Sequence, residues 1–257
     1  MQRITRGITL TSPDHTLARL RREIDAVDDS ILDLILRRVE LVDEITAAKT
    51  EAGTLHRFLR PGREAIILRR LLARNRGIFP PAALVRMWRE MVCALLPLQG
   101  TFSVVVGGSE SGLRDTARDF YGSSTLMPET DDAITAMRRV EEGRDRLAVI
   151  PTGDRDALQM LACQGRAALH IVALLPFVPP APGSGSRCEA FVLSATAPEP
   201  SGDDRTVIAV FDDSGNGVSQ SRITTLDGWH QGDEERRITM DSLTGMVLGS
   251  YPAPFQQ

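Results

Sequence analysis

Apolar residues in the first 50 positions follow the repeat of one long amphipathic helix. They recur alternately three and four positions apart, at Leu17, Leu20, Ile24, Val27, Ile31, Leu34, Leu41, Ile45 and Ala48. Ser12 and Pro13 are typical of a helix start and Gly53 of a helix end, so the pattern predicts a helix from Ser12 to about Thr50. Such a helix is about 57 Å long. Because a small monomeric domain does not need that length, the sustained heptad seam predicts packing against a second chain.

The rest of the chain divides into two short helices and an alternating region. The helices are predicted from Pro61 to about Arg74 and from Pro81 to about Leu98, and the apolar seam of the second ends at Gln99. After Gly100, buried strands are predicted at 102–106, 147–150, 171–175 and 190–194, helices at 113–120 and 133–142, and terminal strands at 206–211 and 246–249. This alternation is typical of α/β structure. The predicted fold class is therefore α + α/β.

Composition and charge limit the classes of function. Of 257 residues, 42% are hydrophobic and 25% are charged, which is typical of globular protein. The absence of a signal segment and of a long apolar run predicts a cytoplasmic protein without a membrane partner. Residues 1–99 carry 17 basic and 12 acidic groups, and the remainder carries 13 and 22. A basic first part indicates an anionic ligand, whereas the acidic remainder and the few aromatic residues argue against nucleic acid.

The candidate chemistry lies in the helical part. Lys49 is the only lysine beside 29 arginines, which codon bias could explain, but it lies at the edge of the apolar seam. Arg38 occupies a seam position, where a guanidinium is costly unless an anion meets it. The two are eleven residues, about three turns, apart and share a face. Arg21 lies about 25 Å from Arg38 along the helix, so it could join the same small ligand only from a second, antiparallel chain.

Three further polar residues are candidates on the shorter helices. Gln99 occupies a seam position, and Arg63 and Glu64 open the second helix. Polar seam residues can simply fix register and oligomeric state, and a glutamate in the first turn can simply complement the helix dipole. Taken together, the cations and the amide on inward faces favour a binding site for a small dianion.

These landmarks resemble the all-helical chorismate mutases. The resemblance covers about residues 16–100 and rests on the spacing of five groups: Leu20-Arg21-x-x-Ile24-Asp25-x-x-Asp28, Arg38 with Leu41, Lys49, Arg63-Glu64, and Trp88-Arg89-Glu90 with Gln99. It implies an intertwined helical homodimer that converts chorismate to prephenate by an intramolecular Claisen rearrangement, in aromatic amino acid biosynthesis. It implies no cofactor and no metal.

The resemblance also implies a role for each residue. Lys49 and Gln99 would donate hydrogen bonds to the breaking ether oxygen. Glu64 would accept the ring hydroxyl. The substrate carboxylates would be held by Arg38, Arg63 and, from the other chain, Arg21. Two positions depart from the family: Leu95 stands where a serine is common, and Arg60 where some members have an aspartate.

The second part of the chain resembles a degenerate prephenate dehydratase followed by a short ACT-like end. The implied domains are a helical mutase domain at 1–100, a two-lobed dehydratase-like α/β domain at 101–203 and an ACT-like remnant at 204–257. Where the dehydratase family has Thr-Arg-Phe, this chain has Glu189-Ala190-Phe191. We therefore expect no dehydratase activity and no control by phenylalanine, although a generic α/β appendage is an alternative.

Two alternatives to a plain mutase stay open. One is a bifunctional chorismate mutase–prephenate dehydratase. The other is a non-catalytic regulator that binds a ligand on the same dimeric fold. The fate of chorismate separates the regulator from an enzyme, and the fate of prephenate separates the two enzymes.

Overall fold

A computed structural model describes most of the chain in two units. The described residues are 13–53, 59–163, 169–179, 187–211, 221–233, 236–240 and 243–255. The first unit, Met1–Leu55, contains the long helix, and the second, His56–Gln257, contains everything after it. The predicted cap at Ser12 lies outside the described residues.

The first unit is one continuous helix, α1, over Pro13–Glu51. Its extent agrees with the heptad pattern to within one residue at the C-terminal end. Gly53 follows with a φ of 66°, the left-handed conformation that glycine adopts easily at the end of a helix. The predicted stop signal is therefore confirmed.

The second unit begins with two helices whose first residues are prolines. Helix α2 spans Pro61–Arg74 and α3 spans Pro81–Leu95, followed by a 3₁₀ turn over Leu96–Leu98. Proline suits the first helical turn because it lacks only an N–H that has no partner there. Both helices were predicted at these places, and Pro97 marks the change to the 3₁₀ turn.

The remainder of this unit is an α/β structure. Its helices are α4 (Leu113–Tyr121), α5 (Ala133–Glu141) and α6 (Arg155–Cys163). Its strands are β1 (Val104–Gly107), β2 (Glu129–Thr130), β3 (Leu147–Pro151), β4 (His170–Leu175), β5 (Ala190–Ser194), β6 (Asp204–Phe211), β7 (Ser221–Asp227), β8 (Arg237–Met240) and β9 (Leu243–Pro252). The predicted α/β class is confirmed.

All nine described strands belong to one mixed sheet. The order is β2-β1-β3-β5-β4-β9-β6-β7, and β8 pairs with β9. We expected two lobes and a separate terminal unit, but β9 runs beside β4 in parallel and joins the last strands to the first ones. Gly249 permits this approach, because a Cβ atom there would lie 2.2 Å from the carbonyl oxygen of Ile171. The predicted boundary at residues 203/204 therefore falls within a continuous sheet.

The first strands of the sheet are covered by helices on both faces. Val105 points to a core formed with α5 and α6, whereas Val104 and Val106 point to a second core formed with α4. This alternation follows from the two-residue period of a strand. Cys93 and Leu96 belong to the second core, so the end of α3 helps to cover the sheet. None of the helices in the described part is long and apolar enough to cross a membrane.

Candidate active site

Three of the predicted site residues lie on α1. Arg21 is exposed, whereas Arg38 and Lys49 are half-buried. The unbroken helix confirms that Arg38 and Lys49 share a face and that Arg21 lies far along the axis. The apolar residues of the predicted seam up to Ile45 expose between 41% and 71% of their surface in the single chain.

The charge of Arg38 is poorly accommodated in the single chain. Its Nη1 atom is buried without a hydrogen-bond partner among the residues that the structure describes. Burial lowers the pKa of Arg38, because a charged guanidinium loses hydration. A buried N–H group without an acceptor is unfavourable in the isolated chain, and a carboxylate that arrived there would relieve that cost.

Two more predicted residues lie side by side at the start of α2. Arg63 is exposed, and its main-chain N–H donates to Oε1 of Glu199 at 3.1 Å. Glu64 is half-buried and forms an ion pair with Arg89 of α3 through Oε2. Glu64 therefore has a structural partner within the protein in addition to the role predicted for it.

The last predicted residue, Gln99, follows α3. It is half-buried, and its main-chain N–H donates to the carbonyl oxygen of Leu96 at 2.9 Å, which closes the 3₁₀ turn. Leu95, at the position where the family commonly has a serine, is also half-buried. An apolar side chain there cannot donate a hydrogen bond, so that contribution to carboxylate binding is missing.

Arg89 belongs to a motif that carried the resemblance, but no role was predicted for it from the sequence. We expected the buried face of α3 to follow Val85, Trp88, Val92 and Leu95, but its fully buried residues are Val85, Arg89 and Cys93. These are spaced by four, and so they form one stripe along the helix. The visible signal was an arginine at that spacing between two apolar residues, but its partners lie in distant parts of the chain.

The Arg89 guanidinium is enclosed by polar atoms and aromatic rings. Nε donates to the carbonyl oxygen of Phe120 at 2.7 Å, and Nη2 lies 3.4 Å from the sulfur of Cys93. The guanidinium carbon lies 4.0 Å from the ring centroid of Phe120 and 5.4 Å from that of Tyr121. Burial alone would lower the pKa of Arg89, but the attraction of Glu64 and its neighbours outweighs burial and raises it. In contrast to its effect on Arg89, burial raises the pKa of the Cys93 thiol to about 11.

The start of α2 is held to the segment between β5 and β6 by residues outside the predicted site. Arg60 forms an ion pair with Glu199 at 2.8 Å. Gly62 lies so close to this segment that a Cβ atom would be 2.6 Å from the carbonyl oxygen of Glu199. The arginine that replaces the family's aspartate thus has a partner of its own in the α/β part of the unit.

The remaining predicted features lie in the sheet. Ala190 and Phe191 begin β5 and are buried, and the Phe191 ring lies 6.0 Å from that of Tyr251. In the described ranges, no group of three or more His, Cys, Asp or Glu side chains is arranged to hold a metal ion.

The six predicted residues are distributed over both units: three lie on α1, and Arg63, Glu64 and Gln99 lie in the second unit. Their convergence on one ligand stays a prediction.

Comparison with known proteins finds matches for the N-terminal part. Residues 20–100 match the family described as chorismate mutase type II. Three curated relatives, each called bifunctional chorismate mutase/prephenate dehydratase, come from Aquifex aeolicus (31% identical over 140 residues), Pseudomonas aeruginosa (27% over 139) and Stutzerimonas stutzeri (29% over 139). Each match covers 52% of this chain and 38% of the relative, so the chain spans less than half the length of these proteins.

One solved structure also matches. It is a prephenate dehydratase from Streptococcus mutans, which is 9% identical, with a TM-score of 0.36, over 60% of this chain and 99% of that one.

Proposed function

We propose that the chain, whose residues 20–100 form a chorismate mutase type II domain, converts chorismate to prephenate. The observation that carries the proposal is that all six predicted site residues, Arg21, Arg38, Lys49, Arg63, Glu64 and Gln99, lie within the matched segment. Their types and spacing suit the reaction.

The chemistry requires positioning and charge, and neither a nucleophile nor a cofactor. In the rearrangement, a C–O bond breaks and a C–C bond forms within one substrate molecule, and negative charge develops on the ether oxygen. A fixed ammonium from Lys49 and the amide of Gln99 stabilise that charge without transferring a proton. The arginines orient the two carboxylates, which reduces the entropy that the folded transition state would otherwise lose.

The proposed enzyme is a homodimer in which α1 pairs with a second copy. The exposed apolar stripe of α1 supports a dimer, because full burial of each such side chain contributes about 1.5–3 kcal/mol to the stability of the paired chains. Arg21 would then enter the partner's site, too far along the helix to serve its own. The cytoplasmic location stays a prediction.

Loss of chorismate absorbance in the presence of the purified chain tests the activity directly. Lys49→Ala should lower kcat by about 10²–10³-fold and leave the dimer folded, because it removes the charge at the breaking bond. Thr50→Ala, at the next and exposed position, is the matched control and should leave kcat unchanged. Undiminished chorismate with the wild-type chain would support the alternative, a non-catalytic ligand-binding regulator, instead.

The shared site can be tested by mixing two inactive variants. In hybrid dimers of Arg21→Ala and Lys49→Ala chains, one of the two sites draws both residues from unmutated copies. Mixing should therefore restore part of the activity. If chain exchange is verified and activity does not return, Arg21 does not act across the dimer.

A bifunctional mutase–dehydratase is the second candidate, because all three curated relatives carry both names. The Glu189-Ala190 pair in place of Thr-Arg argues against it. Incubation with prephenate at neutral pH distinguishes the two: we expect no phenylpyruvate, and its enzyme-dependent appearance would establish the bifunctional enzyme.

A further inference from the structure

A buried polar cluster connects Glu64 to the α/β part of its unit. At its centre is the Arg89 side chain, which is 1% exposed, whereas that of Glu64 is 14% exposed. Arg89 meets Glu64 on one side and, on the other, the Phe120 carbonyl at 2.7 Å and ring at 4.0 Å. The cluster thus joins the start of α2, the middle of α3 and the end of α4.

The form of the guanidinium makes this connection directional. Its N–H groups lie in one plane at fixed angles, so an Nε–H bound to one acceptor determines where Nη1 can point. The Phe120 carbonyl therefore sets the position from which Nη1 meets Glu64 Oε2. A lysine would retain the charge but could not bind both partners in a fixed geometry.

The contacts occupy only one oxygen of Glu64. Arg89 binds Oε2, and within the described ranges Oε1 has no hydrogen bond. Oε1 is thus the oxygen that can accept a ligand hydroxyl, in an orientation determined by the bond to Oε2.

We propose that Arg89 is a positioning residue of the mutase site, which holds Glu64 in place for the substrate's ring hydroxyl and is itself held by Phe120 of the α/β region. The inference rests on the proposed function and extends it. It gives the α/β region a role in the reaction that requires no catalysis of its own: α4 supplies the fixed point against which a substrate-binding carboxylate is oriented.

A double-mutant cycle in kcat/KM tests the inference, with Arg89→Met, Glu64→Gln and the double variant. Arg89→Met should lower kcat/KM on the order of 10²-fold, as expected for a misplaced binding group. In the Glu64→Gln background the same change should lower it less than about threefold, because the carboxylate that Arg89 positions is already absent. A purely structural contribution would lower activity equally in both backgrounds.

Phe120→Leu provides a second cycle in which Arg89 and Glu64 keep their ion pair. It removes the ring over the guanidinium but retains an apolar side chain, and should lower kcat/KM about tenfold in the wild-type background. In the Glu64→Gln background it should have no further effect. This cycle decides the question if Arg89→Met fails to fold.

Glu90→Gln is the matched control. Glu90 is the next residue on α3 and accepts from the main-chain N–H of Ser123 at 2.9 Å and from its hydroxyl at 2.6 Å. Its replacement weakens the same contact between α3 and the end of α4 without touching Glu64 or Arg89. We expect kcat/KM within twofold of the wild type, with unchanged circular dichroism and dimer mass.

The outcomes separate this inference from the proposed function. If the wild-type chain does not consume chorismate, the proposed function fails and the inference with it. If the wild type is active but the losses are additive, or if Glu90→Gln loses as much as Phe120→Leu, then the positioning role is wrong and the function stands.

Discussion

Replacing Arg69 with methionine should loosen α2 from the C-terminal strands. The guanidinium of Arg69 donates to the main-chain oxygens of Asp203 at 2.6 Å and Ala253 at 2.9 Å and to the Ser201 hydroxyl at 2.9 Å. Its side chain is 20% exposed. A hydrogen bond from a charged donor contributes about 1.5–3 kcal/mol, but some of these acceptors regain water when the arginine is removed. We therefore expect a loss of about 2–4 kcal/mol in the free energy of unfolding.

Urea denaturation measures this loss. With a slope of about 3 kcal/mol per M, the unfolding midpoint should fall by roughly 1 M, and circular dichroism and tryptophan fluorescence should report the same transition. The control is Arg70→Met on the next residue, which is exposed and has no ion pair or hydrogen bond to the described residues. It should change the free energy by less than about 0.5 kcal/mol. If the two variants unfold at the same urea concentration, Arg69 does not hold α2 to the C-terminal strands.

Three further changes test other parts of the second unit. Gly249→Ala should lower the midpoint of thermal unfolding, because its Cβ atom would lie 2.2 Å from a main-chain oxygen of β4. Gly77→Ala is the control and should not lower it, because nothing lies within 4 Å of that Cβ position. An unchanged midpoint for both variants would contradict the close approach. Burial, and then a neighbouring arginine, lowers the pKa of His170 from 6.5 to about 4. The contribution of His170 to stability is therefore present above pH 6.5 and lost as the pH falls towards 4. In urea titrations over that range, His170→Gln should lose less stability than the wild-type chain. Parallel curves for the two proteins would show that His170 does not contribute. Arg60→Gln should cost about 1 kcal/mol or less, because the pair is partly exposed. In the Glu199→Gln background, which keeps an acceptor for the main-chain N–H of Arg63, the same change should cost less; equal losses in both backgrounds in urea titrations would mean that the ion pair contributes nothing.

The elements that were predicted well are those that local sequence specifies. Their signals each lie within a few neighbouring residues: the apolar period of α1, the prolines that open α2 and α3, and the apolar runs of β1 and β3. Strands β2, β7 and β8 were missed, because β2 has only two residues and β7 and β8, with seven and four, contain no run of apolar residues. Their strand conformation depends on partners elsewhere in the sheet.

Residues with distant partners were the least predictable part of the candidate site. Arg60 stood out only as a departure from the family, and its partner Glu199 lies 139 positions away. Arg89 was one member of a motif without a role, until its contacts with Glu64 and Phe120 explained why a charge is buried there. Neither pairing leaves a repeat in the sequence, because hydrogen bonds between distant segments require no fixed spacing.

By itself, the sequence determined the extent of α1 up to its C-terminal end and the common face of Arg38 and Lys49, and it predicts six residues for binding a dianionic substrate. These follow from helix geometry and side-chain chemistry, which operate over short distances along the chain. Only the tertiary structure decided which faces of α2 and α3 are buried, and that the last strands join the same sheet as the first. The reason is that burial depends on which distant surfaces meet, and here the α/β region covers the helices with Phe120, Glu199 and the strands beside Gly249.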